Sequence, residues 1–141
     1  PIPLMLSRYS QAESIVGVEK NKIAHSYGIK NLDDNTKTDN ISLYRGDVRE
    51  VLPSLQNRFD RLVMPLPSGA IEYLPLALSL LKQKGWLHFY DFQKKGEFMQ
   101  AAEKVEKVVL QNRRILLSSF VHKCGHISPF KYRVCVDAQI Q

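Results

Sequence analysis

Four apolar runs punctuate the chain, and a segment of helical character follows each. Ser14–Glu19, Ile41–Tyr44, Phe59–Met64 and Trp86–Phe92 read as strands. The segments behind them, Lys20–Ile29, Val48–Leu55, Ser68–Lys84 and Lys95–Leu110, read as helices. In the third, Ile71, Leu74, Ala77, Leu78 and Leu81 recur at helical spacing, with Pro75 expected to kink it and Gly85 expected as its C-cap. Strands that alternate with helices need crossover connections, and crossovers place neighbouring strands parallel. Arg114–Val121 and Tyr132–Val136 are separated by a short loop instead, so they are expected to pair antiparallel. Leu4–Ser7 reads as the tail of a helix, and the Asn- and Asp-rich run Asn31–Asn40 as a loop. The expected architecture is α/β, with a mostly parallel sheet and an antiparallel hairpin at its C-terminal edge.

A chain of 141 residues with 44% hydrophobic and 24% charged residues suits one soluble domain. No apolar run reaches the roughly 20 residues of a membrane span, so no membrane partner is expected. Two cysteines form no disulfide framework, and a reducing cytoplasm is the expected location. The net charge of +6 is compatible with a polyanionic partner and equally with a plain basic surface. The chain opens Pro1-Ile2-Pro3 without a Met or a signal-peptide pattern.

Ligands of open α/β sheets bind outside the carboxyl ends of the strands, and three such ends carry notable residues. The first run ends in Glu19, a carboxylate able to accept both hydroxyls of a ribose or to sit at the positive end of the next helix. The second ends in Gly46-Asp47, where the acid can accept from an adenine amine or cap a helix. The third ends in Met64-Pro65-Leu66-Pro67, a corner that stops a core strand on two prolines and starts a helix at once.

The segment "FDRLVMPLPSGAIEYLPLALSLLKQKGWLHFYDF" resembles the archaeal and eukaryotic tRNA guanine-N1 methyltransferases, which act on the guanosine just 3′ of the anticodon. "SIVGVEKN", "YRGDVREVL" and "SPFKYRVCVDAQI" resemble further motifs of that family, so the likeness covers nearly the whole chain. The resemblance implies a Rossmann-like class I methyltransferase fold, S-adenosylmethionine as cofactor and tRNA as partner. It implies that Glu19, Gly46, Asp47 and Met64 contact the cofactor, and that Pro65, Leu66 and Pro67 shape the pocket of the target base. Two departures stand out. Pro65 occupies a position where many relatives have Asn, and so offers neither a backbone N–H nor a side-chain amide. The family's first strand and its glycine-rich turn have no counterpart; Pro1 falls just after them. The resemblance therefore implies the C-terminal part of a longer enzyme. Its catalytic acid–base groups would lie upstream of Pro1, a gap is expected beside the strand Phe59–Met64, and the 141 residues alone are expected to be inactive. The alternatives are a wybutosine-pathway aminocarboxypropyltransferase using the same cofactor and a non-catalytic α/β remnant.

The remaining chemistry-bearing residues read as structural. "HKCGH" places His122, Cys124 and His126 on one face if extended, but it lacks a fourth ligand and reads as an edge loop, so no metal is expected. Cys135 reads as core, and His88 as packed and hydrogen-bonded rather than reactive. The basic residues, Lys82, Lys94, Arg114 and Lys131 among them, are spread over several elements; some would meet tRNA phosphate and most would be solvated.

Overall fold

The computed structural model describes residues 1–35 and 38–141. It divides into two compact units, Pro1–Gln56 and Asn57–Gln141.

The first unit holds α1 (Ile2–Tyr9), β1 (Ile15–Glu19), α2 (Lys22–Asp33), β2 (Ile41–Arg45) and α3 (Val48–Ser54). β1 and β2 pair in parallel, from Ile15 opposite Ile41 to Glu19 opposite Arg45. The Asn21 side chain caps α2 by accepting from the Ile23 and Ala24 N–H groups. Helix α2 runs through Asp33, so the expected loop begins later than the polar composition implied; Leu32 keeps the helical pattern going across Asn31 and Asp33. The part of that loop at residues 36–37 lies outside the described residues.

The second unit holds β3 (Phe59–Met64), a 3₁₀ turn (Ala70–Tyr73), α4 (Leu74–Leu80), β4 (Leu81–Lys94), α5 (Met99–Gln111), β5 (Leu116–Ser128) and β6 (Lys131–Ile140). Its sheet has the order β3-β4-β6-β5. β3 runs parallel to β4, and β6 runs antiparallel to both β4 and β5. The C-terminal hairpin is present as expected, and its strands are longer than the sequence implied. Among the described residues β3 is hydrogen-bonded to β4 alone, so it forms one edge of this sheet.

Two local expectations are corrected. Pro75 does not kink a long helix. It sits in the first turn of α4, where its missing N–H leaves no hydrogen bond unmade. Helix α4 then ends at Leu80, and Gly85 is a buried strand residue rather than a C-cap. Register explains the residue type: Phe59 faces Leu81 while Arg61 faces Trp86, so β4 carries extra residues that bulge between them. A Cβ on Gly85 would lie 2.8 Å from Leu81 Cγ and 2.9 Å from the Lys82 carbonyl oxygen. Arg114 fastens the same junction by donating to the Leu78 and Leu81 carbonyls at 2.6 and 3.2 Å.

The core of this unit lies between the sheet and α4 and α5. Leu74 and Leu78 of α4 and Val105 and Val109 of α5 meet Leu87, Phe89, Val134, Val136 and Ala138 of β4 and β6. Alternation along β4 is strict here. Leu87 and Phe89 are buried, whereas Trp86, His88 and Tyr90 on the other face are half-buried, so the apolar run Trp86–Phe92, which reads in the sequence as a fully buried strand, is fully buried on one face only. Leu87→Ala should therefore cost about 2–5 kcal/mol, the range for a cavity in a packed core. Leu117→Ala, at a side chain 44% exposed, should stay within about 0.5 kcal/mol. Urea unfolding of both variants checks this, and similar losses would place the core elsewhere.

Candidate functional site

At the carboxyl ends of β1 and β2 the structure brings Glu19, Gly46 and Asp47 together. The Gly46 N–H donates to the Glu19 carbonyl at 3.1 Å, which closes the end of the two-stranded ladder. Gly46 has φ +154°, and a Cβ there would meet Val51 Cγ2 at 2.7 Å, so both conformation and space call for glycine.

The two acids differ in what they have left to offer. Glu19 is exposed; its Oε1 accepts from the Asn21 N–H at 2.7 Å, and among the described residues Oε2 accepts no bond. Asp47 is the N-cap of α3. Its Oδ1 accepts from the Arg49 N–H and Arg49 Nε, both at 3.0 Å, and its Oδ2 accepts from Arg49 Nη2 at 2.9 Å and Lys20 Nζ at 3.0 Å. The Arg49 bonds, with help from Lys20, hold this carboxyl well below the usual carboxylate range. A carboxylate that already accepts four bonds is an anchor for its neighbours first.

In the second unit, Met64 packs against the core cluster, Pro65 and Leu66 are exposed, and Pro67 is half-buried. The corner is thus pinned by its first residue and open at the next two. Gly69, at φ +78°, turns the chain into the 3₁₀ segment, and nothing lies within 4 Å of where its Cβ would be.

On the face of this sheet away from α4 and α5, one polar side chain from each strand joins a chain of contacts. Arg61 Nη1 of β3 lies 2.7 Å from His88 Nε2 of β4. His88 Nδ1 lies 2.6 Å from Asp137 Oδ1 of β6, and Asp137 Oδ2 lies 3.3 Å from His122 Nε2 of β5. Guanidinium can only donate. His88 Nε2 therefore accepts, and Nδ1 carries the hydrogen that goes to Asp137. The expectation that His88 is packed and hydrogen-bonded matches this arrangement.

The buried thiol of Cys135 also donates to Asp137, at 3.3 Å. Burial, and then the Asp137 carboxylate, push this thiol up to about 12. Burial alone would raise Asp137, but the bonds from His88 and Cys135 and the charges near it bring it below its ordinary value. Ligand-type atoms of His88, Cys135 and Asp137 lie within 4.8 Å of one another, yet they are bonded to each other. The "HKCGH" stretch proves to be strand, not loop. The register shifts between Lys123 and Gly125, so a bulge at Cys124 separates His122 from His126. His122 reaches Asp137, while His126 packs on Tyr132 at 4.4 Å between ring centroids. Arg61 and Asp137 escaped the sequence reading. The available signal was an acid inside the apolar strand Val134–Ala138, in register with His88.

Comparison with known proteins places this geometry in context. A family model described as "TRM5/TYW2 methyltransferase domain" matches residues 1–117. A curated relative, the tRNA (guanine(37)-N(1))-methyltransferase Trm5b of Pyrococcus abyssi, is 31% identical over 99% of this chain and 41% of its own length. The chain thus spans less than half of that relative. Among solved structures, TYW2 of M. jannaschii in complex with AdoMet superposes with a TM-score of 0.85 at 24% identity, over 96% of this chain and 61% of its own, a likeness of fold. Trm5 of Methanocaldococcus jannaschii in complex with adenosine gives 0.75 at 25% identity, over 92% of this chain and 37% of its own.

The Asp47 contacts predict a pH dependence. Its folded value lies below the ordinary 3.8, so the stability it contributes is complete above that ordinary value and is lost as pH falls toward the folded one. Asp47→Asn keeps a good N-cap but removes the charge. The variant should be less stable than the parent at pH 7, and the difference should begin to narrow below about pH 4. Urea midpoints across pH 3–7 check this; a difference that does not vary with pH would show that the charge is not what matters.

Proposed function

The chain belongs to the TRM5/TYW2 methyltransferase domain family, and on that premise we propose that it is part of a cytoplasmic enzyme that methylates N1 of the guanosine 3′ of the tRNA anticodon. The observation that carries this reading is the 31% identity with Trm5b over almost the whole of the present chain. S-adenosylmethionine, when bound, supplies a methyl group on a positively charged sulfur.

This chain's own residues fit that cofactor best at Glu19. Its Oε2 is open at the carboxyl end of a parallel strand, where a ribose hydroxyl can donate to it. Gly46 keeps the neighbouring backbone in a turn that a side chain would not allow. Asp47 supports that turn through its cap and its pairs with Lys20 and Arg49, and a contact with an adenine amine would have to share oxygens already in use. Met64, Pro65, Leu66 and Pro67 have no side chain that can take the proton leaving N1 as the methyl arrives. Their contribution is shape: a rigid corner against which a flat base can be positioned. The base that removes the proton is therefore not at the corner.

The fold likeness to TYW2 keeps aminocarboxypropyl transfer as a second reading. The 31% identity with the methyltransferase Trm5b, against a likeness of fold alone to TYW2, favours methyl transfer. The mass added to tRNA separates the two, and a chain that binds neither cofactor nor tRNA would be the remnant.

Two substitutions in the intact enzyme of which this chain is proposed to be part test the assignment. Glu19→Ala should weaken S-adenosylmethionine binding by about 1.5–3 kcal/mol, the scale of a lost hydrogen bond to a charged group. Pro67→Ala should lower kcat more than it lowers cofactor affinity, because positioning acts on the transition state. Unchanged calorimetric affinity in Glu19→Ala would remove the ribose role, and equal losses in Pro67→Ala would reduce the corner to a structural turn.

A further inference from the structure

A groove of about 660 Å³ opens beside the Pro67 corner, within the second unit. Pro67, Asp91, Phe92, Lys104, Lys107 and Lys131 contribute to its lining. Pro67 follows the carboxyl end of β3, and Asp91 and Phe92 belong to the late part of β4. These parallel strands therefore deliver the groove to the end of the sheet where ligands of open α/β folds bind.

The charges of the groove do not balance. Its ionisable lining is three lysines against one carboxylate. Asp91 is already committed: Oδ2 accepts from Lys104 at 2.7 Å and from the Gln93 amide at 2.7 Å, and Oδ1 accepts from the Phe92 N–H at 2.8 Å. Glu103 and Glu106 of α5 do not line the groove. Among the described residues neither Lys107 nor Lys131 is ion-paired with a carboxylate. The Lys131 ammonium instead stands 4.9 Å from the centre of the Phe92 ring.

Register puts a further lysine across from Lys131, one that does not itself line the groove. Lys131 lies directly opposite Lys94 in the β4–β6 ladder. Like charges at such positions destabilise a sheet. A site that places unpaired ammonium groups together, beside an aromatic ring and next to the corner, is complementary to an anion that brings an apolar body with it.

We propose that this groove seats the sugar-phosphate backbone of the RNA at a nucleotide adjacent to the target, with Lys107 and Lys131 as its phosphate contacts. The proposal rests on the tRNA reading above. A single-stranded segment fits better than a duplex: the groove is small, its aromatic wall can meet an unstacked base, and stacking on aromatic side chains is the usual partner of backbone charge in single-strand binding.

The test uses the longer enzyme of which this chain is proposed to be part, and unmodified tRNA, with dissociation constants measured by filter binding from 50 to 300 mM salt. The Lys107→Ala/Lys131→Ala double variant should flatten the plot of log K against log salt by about one to two units, roughly one for each phosphate that is no longer neutralised. A double variant with the same charge loss at the amino-terminal start of β4, outside the groove lining, Lys82→Ala/Lys84→Ala, should change the slope less. Calorimetric affinity for S-adenosylmethionine should not move in either. The exposed lysines can be removed without loss of core, and circular dichroism confirms that the variants are folded. Equal slopes in the parent and the groove variant would overturn the groove while leaving the tRNA reading intact, as would equal flattening in both double variants. A parent chain that binds no tRNA at all would overturn the tRNA reading, and the groove proposal with it.

Discussion

Strand β4 carries the second unit because it must satisfy two neighbours that run in opposite directions. It takes β3 in parallel on one side and β6 antiparallel on the other. At the same time it buries Leu87 and Phe89 against α4 and α5. That double demand explains the bulge at its start. Four residues between Leu81 and Trp86 absorb the mismatch with β3, and Gly85 is where the backbone passes close to Lys82 and Leu81. Once β4 is in register, the corner after Met64 and the groove beside Asp91 come to the same end of the sheet.

The opposite face of β4 obeys the same register with polar residues. Val63 and Asp137 flank His88 across the two ladders, and Arg61 reaches it diagonally. Half-buried polar groups are costly when unpaired, so a chain of bonded partners across four strands is how this face can be polar without losing stability. The fixed direction of the His88 bonds follows from Arg61 alone, since that side chain has no acceptor to offer. The structure thus assigns His88 a packing and bonding role that needs no reactive chemistry, and it turns a ligand-like constellation of His88, Cys135 and Asp137 into a closed network.

Much of this was legible in the sequence because strand runs and helix stripes are set by local periodicity. Phe59–Met64 emerged with the expected bounds, and the acids ending β1 and following β2 stood where a pattern of strand and helix puts them. The failures came where the deciding contact is distant. Nothing near Leu81 says that it leaves α4 for a ladder with Phe59; that depends on register with β3 and on Arg114, more than thirty residues away, binding the junction carbonyls. Bulges hide in the same way. The alternation that would align His122, Cys124 and His126 fails because one residue is inserted relative to β6, and β5 alone does not display that insertion.

The two acids at the ends of β1 and β2 show how structure divides roles that sequence leaves symmetric. Both follow apolar strands, and both precede helices. Yet Asn21 takes over the capping of α2 and draws only one oxygen of Glu19 through its N–H, whereas Asp47 must cap α3 itself and also hold Lys20 and Arg49. The difference therefore lies in whether a residue two positions on relieves the acid of capping. Asn21 lies two positions beyond Glu19 and caps α2 with its own side chain, leaving Glu19 with an unused acceptor. Arg49 lies two positions beyond Asp47 and binds back to it through backbone and side chain. An incoming hydroxyl at Glu19 Oε2 gains a bond without breaking one, while an incoming amine at Asp47 must compete with bonds already made to two cations. On that account Glu19 is the carboxylate this end of the first unit leaves more available, and Asp47 is held by the α3 cap and by its two cations.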